Sequence, residues 1–360
     1  MTIYVNKDLL IHNVRPVSLL MHLTPDDTQK DLLYWNELRQ ILPNVVDIKY
    51  YTSISQIARG VVVIPHGLKE YRQRNMLHVI KKEIAEARKV NLEIVVFNQS
   101  AINYSFKGVM AEFQTNATQS ADVGRKKFVV PNWLYDLGYH PLDTITDVPT
   151  VNFTAHVSYP GKINNIIKFV PFPKSLTNYL ASSYSVDTLI KNLSVKQVIA
   201  RKVRLKLVKS LNLFRQVQLT LKIRHEPFFG LPTEKKKVLQ FQYRQNIAKN
   251  LYTIIIRGDG QGVFQLFEVM SAGRIPIIID TNMALPELSS CQWDDFALLV
   301  PFSKVDKLEN YILEFHQHYT KEDLLQKCAL ARQACEELLP HNFVLNKVIP
   351  TIIKLSNYYK

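Results

Sequence analysis

The sequence is poor in cysteine and lacks any long apolar run. Its three cysteines are Cys291, Cys328 and Cys335, and none belongs to a C-x-x-C pair. This count excludes a disulfide framework and fits a reducing compartment. No stretch reaches the roughly 18 consecutive apolar residues that a membrane-spanning helix needs. The first residues also lack the organisation of a signal peptide, so we expect a cytoplasmic protein.

Acidic residues are missing from one stretch, 191–225, which holds ten Lys or Arg and no Asp or Glu. The whole chain has a formal net charge of +14, so most of the excess lies in this stretch. Three hypotheses remain open for it. The first is that the stretch forms a solvated helix face. The second is that it docks peripherally on an anionic membrane, and the third is that Arg201 or Arg204 contacts the phosphates of a ligand or an acceptor. Nucleic acid is not the expected partner, because the stretch lacks regularly spaced aromatic residues.

Short apolar runs alternate with helical patterns along the chain, which is typical of parallel α/β domains. The predicted fold is two Rossmann-like domains that face a cleft. We predict an N-terminal acceptor-side domain over 1–148, a C-terminal nucleotide-sugar-binding domain over 149–343 and a helical tail over 344–360. In the first half we predict strands at 16–23, 45–51, 61–65, 93–97 and 128–133, helices at 26–42 and 69–90, and loops over 98–126.

The most informative segment is 251–280, LYTIIIRGDGQGVFQLFEVMSAGRIPIIID. A buried strand ends just before Arg257, at the edge where doubly wound sheets bind ligands. A turn follows with three glycines, at which the backbone can approach a ligand closely, and it opens a helix whose free N–H groups suit an anion. These glycines are Gly258, Gly260 and Gly262. The pattern favours binding of a phosphate or diphosphate.

The helix that follows the turn is apolar except at Gln265 and Glu268. A helix that is apolar on most sides is buried, and a buried carboxylate needs a partner. Ribose hydroxyls of a nucleotide are one candidate partner for Glu268, and a structural Arg or Lys is the other.

The segment resembles the signature of the exostosin family of glycosyltransferases. The similarity extends over about forty residues and has the order and spacing of the family motif. The matching residues are Arg257-Gly258-Asp259-Gly260, Leu266-Phe267-Glu268, Ala272-Gly273-Arg274-Ile275-Pro276, Leu285-Pro286 and Trp293. One position departs from the family signature, because Gln265 stands where the family has an arginine.

The resemblance implies a GT-B arrangement and an inverting transfer from a nucleotide-sugar donor, by default a UDP-sugar, to a glycan or lipid-linked saccharide. It also implies that Arg257 and Glu268 bind the donor, and we count Gln265 and the three glycines of the turn among the donor-binding residues. No Asp-x-Asp triplet occurs in the chain. We therefore expect transfer without a metal or other cofactor, with the leaving diphosphate stabilised electrostatically.

Inversion requires a base that takes the proton of the acceptor hydroxyl. His66 is the candidate base, because it follows a predicted strand and precedes a glycine. Its rivals are His22, Asp26, Asp27 and His156. Two other functions stay open: a sugar-nucleotide-binding protein with impaired catalysis, which Gln265 favours, and a basic nucleic-acid-binding protein.

Overall fold

The computed structural model describes residues 1–23, 33–99, 106–119, 123–124, 126–132, 136–142, 144–157, 193–224, 226 and 231–358. The chain forms two compact units, and neither is one continuous stretch. The first unit comprises Met1–Trp133, Ala284–Glu287 and Glu337–Lys360, and the second comprises Leu134–Met283 and Leu288–Glu336. Asp26 and Asp27 lie outside the described residues.

The regular elements are numbered in chain order. The strands are β1 Thr2–Asn6, β2 Asp47–Tyr51, β3 Val61–Val63, β4 Glu93–Asn98, β5 Ala111–Gln114, β6 Lys127–Val129, β7 Thr150–His156, β8 Gln218–Arg224, β9 Tyr252–Ile255, β10 Ile275–Asp280 and β11 Leu298–Pro301. The α-helices are α1 Leu33–Val45, α2 Leu68–Gln73, α3 Leu77–Lys89, α4 Leu193–Leu211, α5 Thr233–Lys249, α6 Phe264–Ser271, α7 Leu308–His318, α8 Lys321–Glu337, α9 Pro340–Phe343 and α10 Ile349–Tyr358.

The first unit is built on a parallel sheet. Within the described residues it has six strands in the order β2-β1-β3-β4-β5-β6. Its core packs apolar side chains of β3 and β4, such as Val62 and Ile94, against Ile80 and Ile84 of α3. Because the strand order reverses between β1 and β3, this unit has the topological switch point of a doubly wound sheet.

Three predictions for the first unit are wrong. Residues 16–23 do not form a strand, because Ser18–Leu23 is a 3₁₀ helix. A continuous short apolar run does not distinguish a buried helical turn from a buried strand. A strand that was not predicted, β1, lies next to the edge strand β2, and β5 lies inside the segment predicted as loop. The single helix predicted over 69–90 is divided into α2 and α3 at Asn75, whose φ of 57° is left-handed.

The second unit also contains a parallel sheet, whose described strands follow the order β11-β10-β9-β7-β8. Val203, Leu207 and Leu211 form an apolar stripe on α4 and pack into the core beneath this sheet. The order reverses between β7 and β9, which gives this unit its own switch point.

The two parallel sheets with helical crossovers confirm the fold predicted from the sequence. Both units are Rossmann-like α/β units, and together they fit the GT-B-like class of two Rossmann domains. Among the described residues, no helix is long and apolar enough to cross a membrane.

Candidate anion-binding site at the carboxyl edge of the second sheet

Arg204 of α4 lies across the switch point of the second sheet. Its Nη1 donates to the carbonyl oxygen of His156, the last residue of β7, at 2.9 Å. Its Nε donates to the carbonyl oxygen of Arg257, just beyond β9, at 3.3 Å. One guanidinium therefore joins the carboxyl ends of the two strands between which ligands bind in such sheets.

Three further guanidinium groups surround Arg204, and they belong to Arg201, Arg224 and Arg257. Burial lowers the pKa of Arg204, and these neighbouring positive charges lower it further. Arg201 and Arg257 are themselves buried. Since guanidinium groups stay protonated in proteins, the cluster concentrates positive charge at the sheet edge, where an anion is stabilised.

Asp259 is the acidic side chain that opposes this charge, because it raises the pKa of Arg204. The Asp259 carboxylate accepts a hydrogen bond from Gln197 Nε2 at 3.1 Å. Within the described residues, the charges that act on Arg204 are those of one carboxylate and three further guanidinium groups, so this part of the cluster is positive. This excess charge suits a ligand that carries more than one negative charge, such as a diphosphate.

The glycine-containing turn after β9 lets the Arg204 side chain lie close to its backbone. A Cβ added at Gly258 would lie 3.3 Å from Arg204 Nη2, so a larger residue would press on the guanidinium. Gly258, Gly260 and Gly262 all lie outside the left-handed region of φ. At Gly258 a small residue is therefore needed for space rather than for backbone conformation.

Glu268 lies on buried α6, and its carboxylate accepts a hydrogen bond from a residue that the sequence did not indicate. The Tyr243 hydroxyl of α5 donates to Glu268 Oε2 at 2.7 Å. Burial raises the pKa of Glu268 to about 7, although the hydrogen bond from Tyr243 and the charge of Arg244 both lower it. The carboxyl group is therefore poised to change its protonation near neutral pH.

Gln265 is also held by protein groups. Its Nε2 donates to the carbonyl oxygen of Thr154 in β7 at 3.0 Å. Its side chain is hydrogen-bonded to the Tyr243 hydroxyl as well. The position at which the family has an arginine therefore belongs to a neutral network that links α6, β7 and α5.

Hydrogen bonds connect the loop after β9 to the loop after β10. Gln261 Nε2 donates to the carbonyl oxygen of Thr281 at 2.7 Å, and Thr281 Oγ1 donates to Gln261 Oε1 at 2.8 Å. Asp280, which ends β10, accepts from the backbone N–H of Asn282 at 2.7 Å. These bonds fix two of the loops that follow strands at the ligand edge.

The basic stretch does not form a uniformly solvated helix face, because Lys196 and Arg201 are buried within α4. Lys209 and Arg215 are exposed. Helix α4 instead places Arg201 and Arg204 at the sheet edge. Arg224, at the end of β8, comes from the same stretch and joins them there.

His66 lies in the first unit with both ring nitrogens engaged by main chain. Its Nε2 accepts from the N–H of Ile11 at 2.9 Å, and its Nδ1 donates to the carbonyl oxygen of Arg15 at 3.1 Å. Burial lowers its pKa, which favours this neutral tautomer. In this geometry neither nitrogen is available to an acceptor hydroxyl, so the ring holds the 11–15 segment and does not support the predicted role of base.

Two residues of the site, Arg224 and Tyr243, were not predicted from the sequence. Arg224 carried a usable signal, since it directly follows the alternating run QLTLKI, 218–223, in the basic stretch. Tyr243 carried none, because it lies on a helix whose neighbouring residues Gln242, Arg244 and Gln245 are exposed and give no clear apolar stripe. Among the described residues, no three His, Cys, Asp or Glu side chains are grouped so that they could hold a metal ion.

No protein-family model matches this chain, and neither does any curated protein. Several solved structures are similar to it at low identity. A glycosyltransferase from Rickettsia africae ESF-5 is 10% identical, with a TM-score of 0.39 and 98% of each chain covered. Anabaena HepE, solved in complex with UDP-glucose, is 10% identical, with a TM-score of 0.35 and 99% of each chain covered.

TarM is a third similar structure, 10% identical with a TM-score of 0.35. The match covers 82% of this chain but only 54% of TarM, so the chain spans about half the length of that protein. TM-scores of this size carry no argument about activity. The assignment to two Rossmann-like units stands on the strand orders of the two sheets.

Proposed function

We propose that this chain is a glycosyltransferase whose second unit binds the diphosphate of a nucleotide-sugar donor. One observation carries the proposal: the cluster of Arg201, Arg204, Arg224 and Arg257 at the switch point between β7 and β9. A doubly wound sheet binds its ligand at this point, and arginine recognises phosphate oxygens with paired hydrogen bonds.

The same cluster suits the chemistry of sugar transfer. Negative charge develops on the leaving diphosphate as the bond to the sugar breaks. Fixed positive groups that are already in place stabilise that charge without having to reorganise. Arg204 and Arg257 are fixed in this way, Arg204 by two main-chain oxygens and Arg257 by burial.

The finer assignment rests on the exostosin-like motif around Arg257 and Glu268. It supports an inverting, metal-independent transfer from a UDP-sugar to a glycan or lipid-linked saccharide, with Arg257 and Glu268 as donor-binding residues. Gly258, Gly260 and Gly262 would bring the backbone close to the diphosphate. Exposed Lys209 and Arg215 are the groups of 191–225 that would face an anionic membrane in a cytoplasmic, peripherally attached protein.

A second candidate is a protein that binds a nucleotide sugar without turnover. Gln265 favours it, because this side chain is hydrogen-bonded to Thr154 and Tyr243 and brings no charge to the site. Donor binding without release of the nucleoside diphosphate in the presence of any acceptor would identify this candidate.

The test is thermal stabilisation of the full chain by UDP, GDP, CMP and UDP-sugars, with and without EDTA. A ligand at a hundred times its dissociation constant stabilises the folded state by about 2.7 kcal/mol. We expect a shift with one class of nucleotide that EDTA does not change. Arg204→Gln should weaken that nucleotide by about tenfold to a hundredfold, because a hydrogen bond to a charged group is lost.

Arg215→Gln is the matched control, since it removes the same charge from an exposed position of the same stretch. It should bind nucleotides as the wild type does. Absence of stabilisation by every nucleotide would overturn the proposal, and so would equal behaviour of the Arg204 and Arg215 variants.

A further inference from the structure

Tyr243 is a residue of the ligand edge that neither the motif nor the charge pattern points to. It lies on α5, where the neighbouring Gln242, Arg244 and Gln245 side chains are exposed. Tyr243 instead points its hydroxyl at the buried carboxylate of Glu268, at 2.7 Å from Oε2. An exposed helix thus contributes one polar group to the interior of the site.

Three elements meet at this hydroxyl. Glu268 and Gln265 are hydrogen-bonded to it from α6, and the charge of Arg224 acts on it from the end of β8. Gln265 is in turn fixed to the Thr154 carbonyl of β7. Since Arg224 is also a neighbour of Arg204, Tyr243 connects the arginine cluster to the Glu268 carboxylate.

We infer that Tyr243 is a positioning residue for nucleotide binding, which fixes the direction of the Glu268 carboxylate in the donor site. The inference rests on the proposed function, in which Glu268 contacts the donor. Tyr243 itself does not have to touch the nucleotide. Its effect on the ligand is transmitted through the carboxylate that it holds.

This role predicts a pH signature. In the part of the chain that the structure describes, Tyr243 and Arg244 of α5 act on the Glu268 carboxylate, and Arg224 of β8 acts on Tyr243 in turn. Burial raises the pKa of Glu268 to about 7, and the Tyr243 hydroxyl holds it below the value that burial alone would give. If the hydroxyl is removed, the pKa rises further and the carboxylate becomes protonated at a higher pH.

The experiment measures the dissociation constant of UDP-glucose from pH 6 to 8.5 for wild type and Tyr243→Phe. The diphosphate of UDP-glucose does not titrate in this range, so changes report the protein. We expect the midpoint of the pH profile to move up by about one unit, because a hydrogen bond to a charged group is lost. The loss of affinity should then be about fourfold greater at pH 7 than at pH 8.5, and the loss that remains at pH 8.5 reports the direction of the ionised carboxylate.

Tyr252→Phe is the control, because its hydroxyl makes a buried hydrogen bond to His316 Nδ1 in the same unit, at 3.0 Å. It should lower the melting temperature and leave the pH midpoint of binding unchanged. A Tyr243→Phe profile that is weaker by one factor at every pH, or identical to wild type, would overturn the positioning role alone. Failure of wild type to bind UDP-glucose at any pH would overturn the proposed function and this inference with it.

Discussion

Arg204 demonstrates that a residue's environment is decided by the contacts that the fold brings to it. In the sequence it is one of ten basic residues in 191–225, and no local feature distinguishes it from Lys209 or Arg215. In the fold its guanidinium joins the ends of β7 and β9, while Lys209 and Arg215 face outward. The alternative that Arg201 or Arg204 contacts a phosphate was available from the sequence, but the pairing with Arg257 and Arg224 required the sheet order.

Glu268 provides a prediction about stability and pH. Its pKa of about 7 in the folded protein exceeds the ordinary value of 4.5, which the unfolded chain has. The folded state therefore binds the extra proton between these two values. Its contribution to stability is complete below pH 4.5 and is lost as the pH rises to 7, by roughly 3 kcal/mol.

Glu268→Gln removes this titration and keeps an oxygen that can accept from Tyr243. We expect the variant to gain stability relative to wild type as the pH rises from 5 to 8, and to lose nucleotide binding. Melting temperatures of the two proteins across this range measure the difference, in which all other titrating groups cancel. Parallel curves would show that Glu268 is ionised throughout.

At the scale of elements, α6 ends at a glycine whose backbone is left-handed. Gly273 follows the helix with a φ of 64°, Gly273 N donates to Met270 O at 2.9 Å, and Arg274 N donates to Val269 O at 3.1 Å. These two bonds form a Schellman motif, which satisfies carbonyl groups at the end of a helix. The stop of α6 then places β10 directly after it, so that Asp280 reaches the ligand edge.

Gly273→Ala should destabilise the second unit by about 2 kcal/mol or more, because a left-handed φ costs about 1–2 kcal/mol for alanine and its Cβ would lie 2.5 Å from the ring of Tyr139. Gly138→Ala is a matched control, since Gly138 has a φ of 79° but open space around an added Cβ. Denaturant unfolding of both variants should show the greater loss for Gly273→Ala. Equal losses would mean that the Tyr139 ring moves aside at no cost.

The same scale shows what the sequence does not decide. The run PVSLLMHL has the composition of a buried strand, and its residues Leu19, Leu20 and Met21 are indeed buried, but as part of a 3₁₀ helix. Strand β1, which was not predicted, is a short segment next to the edge strand β2, and its buried Ile3 and Val5 follow the strand period. Burial was predictable from the residues in both places, whereas the backbone conformation depended on which segment found partners in the sheet.

At the scale of the whole molecule, the alternation of strands and helices was sufficient to predict two Rossmann-like units. The composition of each unit was not predictable in the same way. Glu337–Lys360 and Ala284–Glu287 belong to the first unit although they follow most of the second in the chain. Such a return depends on long-range contacts, for example between α1 and α9, that no local pattern encodes.

The positive charge of the chain also has a structural explanation at this scale. A stretch with ten basic residues suggested a surface for polyanions, yet its Arg201, Arg204 and Arg224 converge on one point of one sheet. A localised site for a small dianionic group is a better match to this arrangement than an extended nucleic-acid track, which needs charge and aromatic side chains along a groove.

The most direct test of the account is a structure of the full chain determined with bound UDP-glucose. The account predicts the diphosphate at the carboxyl ends of β7 and β9, within hydrogen-bond distance of the Arg204, Arg224 or Arg257 side chains, and the ribose toward Glu268. A nucleotide bound in another place, with these arginines not in contact with it, would contradict the assignment of the donor site.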